Sequence, residues 1–188
     1  MAGSEAARAW PGRTGSLRVG RSRPTVAGVA GGVGTTTVAA AIGGTDRGVF
    51  VGRAVDVLVC RATGDSLIRA GHAARLVAQV TGRLPVLAVT AADAAGPSRP
   101  VTARLRLLEP NAAAVVVLPY VRRWREVAAP LDEARALLAV PRTDLSRSLR
   151  RYATAVDVVT ALTGRPPTSP RPIRERAQTT ASTLRRTR

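Results

Sequence analysis

Residues 28–37 read GVAGGVGTTT, and the segments on either side of them decide the fold. PTVAGVA (24–30) is a short apolar run of strand length. TTTVAAAIG (35–43) reads as a helix stopped by Gly43 and Gly44. A strand, a glycine turn and a helix in that order form the opening of a βαβ unit. The glycine turn then falls at the carboxyl end of the first strand, where open α/β sheets bind their ligands.

The rest of the chain repeats the alternation. VDVLVC (55–60) and AAAVVVLP (112–119) are continuous apolar runs, the signal of strands buried on both faces. LPVLAVT (84–90) is a further strand. Between them DSLIRAGHAARLVAQVTG (65–82) reads as a helix. Asp65 or Ser66 is its expected N-cap, Leu67, Ile68, Ala70, Ala74, Leu76, Val77 and Val80 its apolar side, and Gly82 its stop. VTARLRLLE (101–109) is a shorter helix after the loop 91–100. YVRRWREVAAPLDEARALLAV and DLSRSLRRYATAVDVVTALTG read as two helical segments separated by Pro141. Residues 44–54 read as a connector. The predicted fold is a three-layer α/β/α sandwich with a mainly parallel sheet.

Charge divides the chain into three parts. The net charge is +17, and all 29 basic residues are Arg. Residues 1–23 carry five Arg against one Glu, and residues 165–188 carry seven Arg against one Glu. Residues 24–164 are closer to balance, with 17 Arg and 10 carboxylates. The expected organisation is therefore a basic lead (1–23), an α/β domain (24–164) and an Arg- and Pro-rich tail (165–188), with both ends read as disordered. Basic arms of this kind favour DNA or another polyanion, with a solvated tail as the bland alternative. A protein partner is a further expectation.

Several classes are excluded. No run of about 18 apolar residues occurs, so no transmembrane helix is expected. The start is not read as a signal peptide, because glycines interrupt its apolar part. Cys60 is the single cysteine, which rules out an intrachain disulfide and fits a reducing, cytoplasmic setting. It lies inside VDVLVC and reads as a small buried hydrophobe, as opposed to a nucleophile.

A phosphate loop works because successive backbone N–H groups point inward at the start of a helix, and glycines permit the close approach. AGGVGTTT (30–37) resembles the deviant phosphate loop of the ParA/MinD family of ATPases, K-G-G-x-G-K-[TS]-[TS]. Gly31, Gly32, Val33, Gly34, Thr36 and Thr37 match in place; Ala30 and Thr35 stand where the two lysines belong. The resemblance implies a P-loop fold and a cradle formed by Gly31, Gly32, Val33, Gly34, Thr35, Thr36 and Thr37 for ATP or ADP. It also makes Thr36 the Mg²⁺ ligand of a bound nucleotide. VLAVT (86–90) is similar to the strand that ends in the family's base-contacting Asn, here Thr90. The family's switch aspartate and Walker B strand are not recognisable before VDVLVC.

The missing lysines set the expected activity. One charge-assisted hydrogen bond contributes roughly 1.5–3 kcal/mol, so its loss weakens affinity about ten- to a hundred-fold. Catalysis loses more, because neutralising charge at the transferring phosphate is most of that mechanism. The expectation is a nucleotide-binding pseudo-ATPase with weak binding and no turnover. Arg61, just past VDVLVC on the neighbouring strand, is the candidate replacement cation. The competing reading is a scaffold that never binds nucleotide and uses its basic arms, the glycines serving only a tight turn.

A dinucleotide reading also fits part of the pattern, since Gly28, Gly32 and Gly34 have the G-x-x-x-G-x-G spacing of short-chain dehydrogenases. It lacks their Tyr-x-x-x-Lys pair, for Tyr152 is followed four residues on by Val156. Its ribose acid, Asp56, opens a strand when it should close one. Lone His72 reads as a packed or surface histidine, and Asp93 as a turn residue. RRWRE (122–126) is either an exposed helix face or a base-stacking cluster.

Overall fold

The computed structural model describes residues 23–164; the readings of the two arms lie outside them. Five strands form one all-parallel sheet: β1 (Thr25–Gly28), β2 (Thr45–Val49), β3 (Val57–Arg61), β4 (Val86–Thr90) and β5 (Ala114–Leu118). Their spatial order is β2-β1-β3-β4-β5. Five helices accompany them: α1 (Thr35–Ile42), α2 (Gly64–Thr81) and α3 (Arg99–Leu108) between strands, and α4 (Pro130–Ala136) and α5 (Arg147–Thr163) after β5. The predicted three-layer α/β/α architecture is present.

Strand alternation builds both cores. Val26, Val57, Val59, Val86 and Ala88 pack with α1, α4 and α5 on one face. Ala27, Leu58, Cys60, Leu87 and Val89 pack with α2 and α3 on the other. The three central strands are therefore buried twice over, which is why β3 and β4 read as unbroken apolar runs.

Residues 44–54 are more than a connector. They contain β2, whose sequence TDRGV is exposed at all five positions. It pairs with β1, with a register shift between Val26 and Gly28. Val49 is its one apolar side chain, so no alternation marks it.

Two helical expectations are corrected. On α2, Ile68, Leu76 and Val80 are 58%, 47% and 62% exposed. The buried row is Leu67, Ala70, Gly71, Ala73, Ala74 and Val77. Small residues let α2 lie close to the sheet, so the larger aliphatics face outward. Its N-cap position is Thr63; Asp65 pairs instead with Arg69, and Ser66 Oγ accepts the Arg61 N–H at 2.9 Å. The segment after Pro119 is not one helix. Arg122–Arg125 make a single 3₁₀ turn, and Pro130 starts the separate short α4.

Candidate functional site

The strand order reverses between β1 and β3, so the topological switch point lies at their carboxyl ends. The glycine loop leaves β1 at that point. Val29 N–H still bonds to Val59 O at 2.9 Å, after which the chain turns over the end of β3. There β4 holds it: Thr90 Oγ1 lies 2.9 Å from Val33 O and 3.2 Å from Cys60 O. Gly34 then caps α1 in the left-handed conformation, φ 93°, and a Cβ on it would press on Thr90 Cγ2. Thr90 thus acts here as a brace on the loop.

Among the described residues, the backbone N–H groups of residues 30–37 meet no hydrogen-bond acceptor. The first turn of any helix leaves orphan donors, but α1 has no side-chain cap and no acidic residue in that turn. The run therefore presents a concentration of positive partial charge with nothing to balance it.

The predicted cradle residues divide by role. Gly31, Gly32 and Thr36 are exposed, and a Cβ at Gly31 or Gly32 would meet nothing within 4 Å. Gly32 has φ 72° and needs glycine for its backbone; Gly31 is not in the left-handed region. Val33 turns its side chain into the core at 5% exposure, leaving only its backbone to face a ligand. Thr35 turns back under the loop, where its hydroxyl fills the space that a Cβ on Gly28 would need. Gly28 is thus required for packing beneath the loop. Thr37 is half-buried in the first turn of α1.

No basic side chain lies within the loop itself. Arg61 ends β3 with its side chain exposed, its N–H held by Ser66. A different arginine reaches the switch-point side. Arg104, from α3, lays its guanidinium against Gly64 in the first turn of α2, where a Cβ would collide with it. Forty residues separate this pair, and only the packing of α3 on α2 brings them together. No periodicity in the sequence signals that contact.

A phosphate fits the unpaired N–H run. For Mg²⁺ the chain offers the exposed Thr36 hydroxyl. Among the described residues no three His, Cys, Asp or Glu side chains gather. Asp93 accepts the Ala95 N–H in its own turn, as expected for a turn residue. His72 is exposed on α2.

The dinucleotide elements do not converge. Asp56 Oδ2 binds both the N–H and the hydroxyl of Thr25 at 2.8 Å, at the opposite end of the sheet from the loop. Tyr152 is 3% exposed beneath Trp124, their rings 4.7 Å apart and edge to face. Burial pushes its hydroxyl far above the ordinary tyrosine value. Burial also raises the Cys60 thiol to about 12, which keeps it unreactive at neutral pH.

RRWRE belongs to the framework as well. Arg122 and Arg123 are paired with Glu126 and Glu133, and Arg125 lies over the Tyr120 ring at 5.3 Å.

No family model, no curated protein and no solved structure matches the chain.

Proposed function

We infer that the chain is a ParA/MinD-like phosphate-loop protein that binds ATP or ADP weakly and does not hydrolyse it. The observation that supports this most is the run of unpaired N–H groups over residues 30–37 at the switch point. Gly31 adds to it. Neither its backbone angle nor its surroundings demand glycine, whereas a ligand pressed against the loop does. Binding rests on backbone donors and the α1 terminus, with Thr36 as the hydroxyl available to Mg²⁺. The positions of both family lysines are uncharged, so the charge that builds on a transferring phosphate has no counter-ion in the loop.

Isothermal calorimetry with ATP, ADP and GTP in Mg²⁺ tests this, alongside Gly31→Val. The expected result is millimolar-range binding to the natural chain, none to the variant, and no phosphate release from either. Absence of heat at millimolar nucleotide would sink the reading.

The excess of Arg over carboxylates in residues 1–23 and 165–188 favours a second reading, an adaptor that holds DNA through its arms. Removing residues 165–188 then lowers affinity for a DNA duplex and flattens its salt dependence. Unchanged binding eliminates the tail's part.

A further inference from the structure

The two helical layers differ in how many of their arginines are paired. On the α4–α5 side, Arg122, Arg123, Arg135 and Arg142 are all paired with carboxylates. Arg150 bonds to Leu145 O, Arg125 is stacked on Tyr120, and Arg147 and Arg151 are exposed with no carboxylate partner among the described residues. Across α2 and α3, Arg69 is neutralised by Asp65. Arg75, Arg99, Arg104 and Arg106 have no carboxylate within 4.0 Å among the described residues, and all four are exposed.

The same layer carries aliphatic side chains out into water. Ile68 and Leu76 stand on the outer side of α2, two turns apart. On α3, Leu105 and Leu108 point to the core, and Leu107 stands outward at 74% exposure, next to Arg106 in sequence. A shallow concavity of about 290 Å³ opens between Arg99 and Arg106, with Thr102 and Ala103 as its floor.

We propose that the outer surface of α2 and α3 docks on an anionic lipid bilayer. Unpaired arginines and outward aliphatics on one surface suit a ligand that offers both negative head groups and hydrocarbon. A nucleic-acid backbone would use the arginines and leave Ile68, Leu76 and Leu107 in water. The concavity between Arg99 and Arg106 takes a lipid phosphate. Leu107 enters the boundary between head groups and acyl chains.

Vesicle flotation of the full chain tests this, comparing phosphatidylglycerol-rich vesicles with pure phosphatidylcholine. The natural chain should float only with the first. At about 1 kcal/mol per surface arginine, the pair Arg99→Ala and Arg106→Ala lowers binding roughly thirty-fold. Leu107→Ser lowers it about ten-fold. The pair Arg147→Ala and Arg151→Ala, on the opposite layer, leaves it unchanged. All five side chains are exposed, so none of these changes threatens the fold. The proposal is overturned if the natural chain ignores anionic vesicles, or if both arginine pairs lose binding equally, which assigns it to overall charge. It is also overturned if the α3 changes weaken binding to a DNA duplex and leave vesicle binding intact, which makes the surface a nucleic-acid interface.

Discussion

The two ends of this sheet are finished in opposite ways. At the amino end, Asp56 takes both donors of Thr25, while Asp56 N–H returns to Thr25 O at 3.0 Å. Side chain and backbone saturate one another, and β1 is tied to the start of β3. At the carboxyl end, the loop from β1 leaves the N–H groups of residues 30–37 without acceptors among the described residues. Buried or half-buried donors are normally paired. One end of the sheet is therefore built to be stable, and the other carries unspent hydrogen-bonding capacity at the place where such sheets bind ligands.

Substitutions can break this contrast from either side. Asp56→Ala should have the largest effect. Bonds to a charged acceptor are worth about 1.5–3 kcal/mol, so urea unfolding should show a loss of roughly 2–3 kcal/mol with ligand binding unchanged. Gly28→Ala comes next. Its Cβ collides with the Thr35 hydroxyl and the Val33 side chain, a small overpacking worth about 1–3 kcal/mol. Because both neighbours belong to the loop, this variant should lose nucleotide affinity as well as stability. Thr90→Val removes the brace on Val33 O and should cost about 1 kcal/mol, read as a lower urea midpoint. Gly31→Ala is the sharpest of the series. Open space surrounds it, so stability should stay within about 0.5 kcal/mol. Calorimetry should nevertheless register weaker phosphate binding. If Gly31→Ala binds as the natural chain does, the carboxyl end is unfinished without being functional.

The same contrast marks how far the sequence could be read. β3 and β4 were legible because burial on both faces leaves an apolar run that nothing polar interrupts, and the half-buried β5 was legible because its run is equally apolar. β2 was not, because all five of its residues are exposed and its pairing to β1 is made by the main chain, which has no residue code. The glycine loop was placed correctly from strand, turn and helix order. The sequence could not say that Val33 and Thr35 turn their side chains away from the open side. That depends on Gly28 beneath the loop and on Thr90, which comes from a strand two places away in the sheet. Arg104 at the start of α2 escaped for a similar reason, since tertiary packing alone sets its position. On α2, hydrophobicity favoured Ile68, Leu76 and Val80 for the core, yet close approach to the sheet selected alanines.

The sheet also has two unlike margins. β2 shows the outside Asp46, Arg47 and a turn-forming Gly48 whose N–H is taken by Asp46 Oδ1. Such a margin repels an added strand. β5 offers Ala114–Leu118, with no charge, glycine or proline among them. An outside strand would pair more readily at β5 than at β2. Two copies meeting there antiparallel would place Val116 against Val116 and leave only guarded margins exposed, so growth would stop at a closed pair and would not run on as a fibre.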